Sequence, residues 1–262
     1  MPSSFSRFMK SLAIDAGKIL LKYFNKTHQI RVKPRAGIVT EADQSAEDFI
    51  LRQILRKFPE SSINTEESGE IHRERSLCWV IDPLDGTSNY AHGFPWFCVS
   101  IALYVEGEPK YGVIHQPITH ELFFVELGKE VTLNEKPVVV SKTSRLRRSL
   151  LGTGFYYARG DTLRREMEIF SRMNEEVLGV RRPGSAALDL ACVACGRFDG
   201  FWERGLAAWD VAAGFMMVEE AGGVITDYAG AEASIYSKEV IASNGRLHKK
   251  LVSIVNNRKM KS

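Results

Sequence analysis

Cysteine is scarce in this sequence, four in 262 residues, so a fold stapled by disulfides is excluded. Cys78, Cys98, Cys192 and Cys195 read as buried thiols. The C-x-x-C at 192–195 lacks the two further ligands of a zinc site and the exposed turn of a redox site. It reads as two small apolar residues on a packed helix. Long apolar runs are missing too: no stretch approaches the roughly eighteen consecutive apolar residues of a membrane span. The opening "MPSSFSRFMKSLAIDAGKILLKYF" carries Lys10, Asp15 and Lys18 where a secretory leader would be uninterrupted. A cytoplasmic protein without a membrane partner is predicted. An excess of one charge is absent as well: 35 basic against 32 acidic residues give +3, too balanced for an obligatory nucleic-acid binder. The small basic clusters "RLRR" (Arg145 to Arg148) and "RKMK" (Arg258 to Lys261) read as solvated surface. Low-complexity linkers and internal repeats are lacking, which argues against independent domains on a flexible tether.

What is present is a soluble composition, 44% hydrophobic and 26% charged, with clear periodicity. Phe5, Phe8, Met9, Leu12, Ala16, Ile19, Leu20 and Tyr23 recur at three- and four-residue spacing, predicting an amphipathic helix over the first 24 residues. Thr40 and Asp43 have the spacing of an N-cap and its N3 partner, opening a second helix with Ala46, Phe49, Ile50 and Ile54 inward. From Cys78 to about Ser141 short β-runs follow one another without helices between them, predicting antiparallel pairing. After Leu150 helical stretches alternate with "FDGFWE", "GVITD" and "EVIASN". Two lobes are expected, 1–145 with a helix pair and an antiparallel sheet, and 146–262 with an α/β arrangement, packed as one catalytic unit.

The most informative stretch is "WVIDPLDGTSNYAHGFPW", Trp79 to Trp96. Trp79, Val80 and Ile81 read as a strand entering a core, Asp82 stands where it should end, and Pro83 and Gly86 predict a turn that aims Asp82 and Asp85 outward. Taken alone, an Asp/Pro/Gly turn is equally well read as a plain turn. Two further segments also carry acids: "INTEESGE" puts Glu66 and Glu67 in a polar loop, and "AAWDVAAG" puts Asp210 in the first turn of a helix. An EF-hand fails, because counting from Asp82 puts Leu84, Gly86 and Gly93 at the third, fifth and twelfth positions, where ligands are needed. A P-loop is absent, and "RPGSAA" lacks the leading glycine of a nucleophile elbow around Ser185.

In "TEES", "WVIDPLDGTSNY", "RRPGSAALDLACVACGRFDGFWERGLAAWDVAAG" and "EEAGGVITD" the chain resembles the inositol monophosphatase family of metal-dependent, lithium-sensitive phosphatases. The resemblance covers most of the chain, with the motifs in the family's order. It implies an α/β fold of the α+β kind, a layered αβαβα sandwich, and a homodimer. It puts Glu66, Asp82, Asp85, Asp210 and the backbone carbonyl of Leu84 on the family's Mg²⁺ ligands, for two or three ions. Thr87 falls on the residue that orients the attacking water, so Glu66, Thr87 and Asp85 are the expected catalytic residues. Gly86, Thr87, Gly184, Ser185, Ala186, Glu203 and Asp210 are the expected substrate contacts. Chemistry agrees: four carboxylates in one cavity repel unless cations sit among them, and Mg²⁺ prefers hard oxygen ligands. Three Mg²⁺ and a phosphate dianion bring +6 and −2 against −4. In "RAGIVTEAD" Gly37 stands where many relatives carry Asp or Asn, a departure bearing on the third ion, on lithium and on any role of Asp43.

The implied activity is Mg²⁺-dependent hydrolysis of myo-inositol 1-phosphate, or a related sugar or polyol monophosphate, by an activated water. Fructose 1,6-bisphosphate, histidinol phosphate and a phosphorylated nucleotide remain open as substrates, because one metal core serves several loop sets. A protein- or RNA-interaction factor acting through the basic clusters, with secondary phosphatase activity, is the alternative of a different class.

Overall fold

The computed structural model describes residues 4–26, 31–32, 38–155 and 159–257; Gly37 and the Arg258–Lys261 cluster lie outside them. Helix α1 (Ser4–Tyr23), the short strands β1 (Arg31–Val32) and β2 (Ile38–Val39), and helix α2 (Glu41–Lys57) come first. Then follow β3 (Ser61–Thr65), β4 (Gly69–Ile71), β5 (Glu74–Asp85), the short helix α3 (Thr87–Ala91), β6 (Cys98–Val105), β7 (Glu108–Gln116), β8 (Glu121–Glu126), β9 (Thr132–Leu133) and β10 (Lys136–Pro137). The second half holds β11 (Leu150–Thr153), α4 (Asp161–Glu176), β12 (Gly179–Arg181), α5 (Ala186–Ala194), β13 (Gly200–Arg204), α6 (Ala208–Glu220), β14 (Val224–Thr226), β15 (Glu239–Ser243) and α7 (His248–Val255).

The elements stack in five layers. Helices α1 and α2 lie on one face of an eight-stranded sheet, ordered β10-β9-β8-β7-β6-β5-β3-β4. Helices α5 and α6 form the middle layer, touching both this sheet and the five-stranded sheet β12-β11-β13-β15-β14, whose far side carries α4 and α7. The αβαβα order expected from the resemblance is observed. Its cause is visible in the residues. α1 buries Met9, Leu12, Ala13, Ala16 and Leu20 along one stripe, as an outer helix does, whereas every residue of α5 is buried, as a helix between two sheets requires. Trp79 anchors the first core: it is fully buried, its indole donates to Ser61 Oγ at 3.1 Å, and its ring meets Phe8 and Phe58. Truncation there costs ~3–5 kcal/mol.

The sheet departs from the sequence expectation. Strands begin well before Cys78, with β3 and β4 covering part of the stretch read as a polar loop. The eight-stranded sheet is also not wholly antiparallel, since β3 pairs with β5 in parallel while β4 supplies the return at the edge. Among the described residues no helix is long and apolar enough to cross a membrane, and all four cysteines are free.

Candidate active site

Strand β5 does not stop at Asp82 as the sequence implies; it runs on to Asp85 through an irregularity. Asp82 faces Ser100 and Asp85 faces Cys98, so three residue steps on β5 oppose two on β6. Pro83 has no N–H for the ladder, which makes this the natural point for a bulge. The geometric effect matters more. Residues three apart on a regular strand point to opposite faces, and the extra residue turns Asp82 and Asp85 to the same side. Gly86 then takes φ +98°, and a Cβ there would come within 2.8 Å of the Trp96 carbonyl; glycine is required on both counts.

The other acids arrive by register and by helix start. β3 pairs Thr65 with Ile81, and the Glu66 amide continues the ladder to the Ile81 carbonyl at 3.3 Å, which sets Glu66 beside Asp82. Asp210 occupies the first turn of α6, where its Oδ2 accepts from the Ala207 amide at 2.7 Å. Carboxylate oxygens of Asp82, Asp85 and Asp210 all lie within 4.8 Å of one another. Glu66 stands outside this triad but lines the same cavity of about 460 Å³, together with Leu84, Gly86 and Thr87. Thr87 Oγ1 lies 3.0 Å from the Leu84 carbonyl and 3.1 Å from Asp43 Oδ1.

Burial and mutual repulsion dominate the electrostatics. Desolvation first, then the charges of Glu66, Asp85 and Asp210, push the Asp82 carboxyl well above the usual range, against one amide bond from Leu84 at 2.9 Å. Burial raises Asp85 to about 6, opposed by donors from Ser185 and Ala187. Burial likewise raises Asp43 to about 6 against the bonds from Thr40. Glu203 is pushed up to about 8 by burial, then by Asp210 and Asp85. Closely set, buried, oxygen-only donors that resist ionising alone fit hard divalent cations, whose charge would relieve the repulsion. The triad can hold a metal ion.

The expected substrate side is in the same cavity: Gly184, Ser185, Ala186 and Glu203 line its wall. Ser185 caps α5, accepting from the Leu188 amide at 3.4 Å. Its hydroxyl donates to Asp85 Oδ2 at 2.6 Å, so this side chain braces a metal-ligand candidate. Glu203 comes from β13, and its carboxylate packs against Gly154, where a Cβ would force it to shift. Several residues of the site were not singled out from sequence. Asn89 Nδ2 reaches the carbonyls of Trp96 and Pro183, each at 2.8 Å, tying α3 to the loop before α5. Gly154, Arg182 and Trp209 also line the cavity, and Glu47 holds the segment around Glu66. Of these, Asn89, Arg182 and Trp209 sit inside quoted motifs; Gly154 and Glu47 carry no local signal.

A model of the Inositol monophosphatase family matches residues 1–260. The chain is 45% identical over 240 residues to the inositol-1-monophosphatase of Synechocystis sp., covering 91% of this chain and 84% of that one. It is 41% identical over 227 residues to the Nus factor SuhB of Xylella fastidiosa, covering 86% and 82%. Among solved structures, the inositol monophosphatase from Anabaena superposes with a TM-score of 0.86 at 42% identity, covering 98% of this chain and 96% of that one. The extragenic suppressor protein suhB from Bartonella henselae gives 0.92 at 39%, covering 97% and 98%. Family match, high identity over nearly whole chains and a common fold lead to one conclusion: the chain belongs to the inositol monophosphatase family of phosphatases.

Proposed function

We propose that the protein hydrolyses the phosphomonoester of a small polyol or sugar, with myo-inositol 1-phosphate as the leading substrate and Mg²⁺ as the metal. The observation that carries this reading is the convergence of Glu66, Asp82, Asp85, Asp210 and Thr87 on one cavity. In it, Asp82, Asp85 and Asp210 would hold one ion, and Glu66 with the Leu84 carbonyl would hold further ions, two or three in all. Bound there, such ions would supply positive charge to neutralise the phosphoryl group, acidify water and stabilise the leaving alkoxide, which leaves as the alcohol once protonated. The chain's own groups do the rest. The Thr87 hydroxyl proton is directed to Asp43 or to the Leu84 carbonyl, leaving its oxygen lone pairs to orient a water whose proton Glu66 accepts. The Gly86 and Thr87 amides bind phosphate oxygens. Gly184, Ser185, Ala186 and Glu203 face the polyol, and the two lobes, 1–145 and 146–262, act as one catalytic unit.

The test is a phosphate-release panel of sugar, polyol, bisphosphate, histidinol and nucleotide phosphates, with and without Mg²⁺. Preference for a bisphosphate or nucleotide would reassign the substrate, and metal-independent turnover would sink the mechanism. The same reading carries Li⁺ inhibition uncompetitive with substrate, a homodimer and a cytoplasmic location; kinetics, solution mass and fractionation check each.

A second reading, contact with an anionic partner, is supported by the relatives named Nus factor SuhB and by a basic face. Lys142, Arg145 and Arg148 line one surface hollow, and Arg246 and Lys250 donate to the carbonyls of Lys142 and Ser144. Loss of RNA or protein binding on changing Arg145, Arg147 and Arg148, with phosphatase activity intact, would favour it.

A further inference from the structure

Helix α2 reaches toward the site with two carboxylates one turn apart, Asp43 and Glu47, both buried. On an α-helix this spacing stacks them on one face, about 6 Å apart along the axis. Asp43 accepts from Thr40 and lies 3.1 Å from Thr87 Oγ1. Glu47 has a different set of partners. Its Oε1 accepts from Thr65 Oγ1 at 2.6 Å and from the amides of Glu67 and Ser68 at 3.3 and 3.1 Å, and its Oε2 accepts from Ser68 Oγ at 2.8 Å.

All four donors belong to residues 65–68, and they bracket Glu66 on both sides. Thr65 is the last residue of β3 and β4 starts at Gly69, so Glu66 rides on a turn between two strands. A buried side chain surrounded by donors must accept from all of them, as the two oxygens of a carboxylate can. Glu47 is not among the residues lining the cavity. It therefore acts on the chemistry only through what it holds.

We propose that Glu47 is the positioning residue for Glu66, and that α2, with Asp43 on Thr87 and Glu47 around the Glu66 turn, sets the spacing of the two groups that flank the attacking water. The proposal rests on the reading of Glu66 as a metal ligand and base given above. A ligand on an unbraced turn would be ordered only when the ion binds, and that ordering entropy would be subtracted from ion affinity. Four hydrogen bonds to one buried carboxylate remove this loss in advance. The consequence belongs mainly to metal affinity, less to substrate affinity.

The experiment uses the full-length chain and compares Glu47→Ala, Glu47→Gln, Ser68→Ala and Glu66→Gln. Four quantities are read: Mg²⁺ affinity by calorimetry without substrate, the Mg²⁺ dependence of phosphate release, amide exchange at Glu67 and Ser68, and melting temperature. Glu47→Ala is expected to weaken Mg²⁺ binding by about ten- to a hundredfold and to speed exchange at Glu67 and Ser68 by about tenfold or more. KM measured at saturating Mg²⁺ should stay within about threefold of the parent value. Glu47→Gln keeps an oxygen for the Thr65, Glu67 and Ser68 donors and should recover most of the affinity. Should Glu47→Ala fail to fold, Ser68→Ala decides, with an expected loss of about two- to fivefold in Mg²⁺ affinity. Parent-like Mg²⁺ affinity and loop exchange in the folded variants would overturn the proposal. So would a fall in melting temperature without any loop-specific change. Glu66→Gln separates the two levels: if it leaves Mg²⁺ activation unchanged, the site reading itself fails; if it weakens activation while the Glu47 variants do not, only the positioning role is lost.

Discussion

Ser185 and Asp85, one hundred residues apart in sequence, are joined by a 2.6 Å hydrogen bond from Ser185 Oγ to Asp85 Oδ2. The Ala187 amide adds a second donor to the same oxygen at 2.8 Å. The N-terminus of α5 thus holds an acid that a bulged strand of the other sheet delivers. Orphan amides at a helix start, joined by a capping hydroxyl, suit a carboxylate better than any neutral group. This relationship couples the stability of α5 to the competence of the acid cluster.

Asp85→Asn should fold and lose about a hundredfold or more of its activity, because a neutral amide cannot replace an anionic oxygen ligand. Circular dichroism and Mg²⁺-dependent release of phosphate from inositol 1-phosphate check both halves. Near-native turnover by the folded variant would remove Asp85 from the metal site.

Ser185→Ala takes away the cap of α5 and a donor to Asp85 together. Stability should fall by about 1 kcal/mol, as for lost serine caps generally. Mg²⁺ affinity should fall as well, since the carboxyl loses the hydrogen bond that favours its ionised form. Urea titration and calorimetry measure the two effects. A stability loss with unchanged Mg²⁺ affinity would show that the cap serves only the helix.

Without metal, the contribution of the acid cluster to stability should decrease as pH rises. Asp82 and Asp85 hold protons in the folded chain to a higher pH than in the unfolded chain, Asp85 to about 6 against an ordinary 3.8, and Asp82 well above its ordinary value. Across that window the folded state binds more protons, so stability is greatest below about pH 4 for these groups and is lost as pH rises through their folded values. Glu203, raised to about 8, extends the loss upward. Mg²⁺ replaces the protons, so its stabilisation should grow from pH 5 to 8, reaching ~2.7 kcal/mol at a hundredfold excess over its dissociation constant. Melting curves with chelator and with Mg²⁺ across this range test the sign. A Mg²⁺ shift that does not change with pH would contradict the coupling.

Glu203→Ala separates recognition from chemistry. Glu203 lines the cavity seven residues before Asp210, and its expected partners are substrate hydroxyls. The variant should lose about ten- to a hundredfold in kcat/KM on inositol phosphate, equivalent to one or two hydrogen bonds to a charged group. Hydrolysis of an aryl phosphate should barely change, because that substrate has no hydroxyls for it. Equal losses on both substrates would assign Glu203 to the metals or the fold.

Much of this molecule was legible locally. The amphipathic α1 and the Thr40–Asp43 capping box of α2 follow from patterns within one or two turns, and so does the run of short strands after Cys78. The acids were visible because Asp, Pro and Gly cluster where chains turn, and because their motifs resemble a known family. The assembly of the site needed more than local rules. Pairing Thr65 with Ile81 brings Glu66 beside Asp82, a bulge turns Asp85 to the side of Asp82, and packing of α6 between two sheets brings Asp210 to both. Glu47, Asn89 and Gly154 gained their roles only there. Their partners lie 18 to 21 residues away for Glu47 and up to 94 or 95 for Asn89, while Gly154 is defined by a carboxylate pressed against it. Sequence alone determined which residues could turn, cap, bury or ligate, because those preferences are set by each side chain and its nearest neighbours. Tertiary structure alone decided which of them meet, because strand register and layer packing are set by burying whole faces at once.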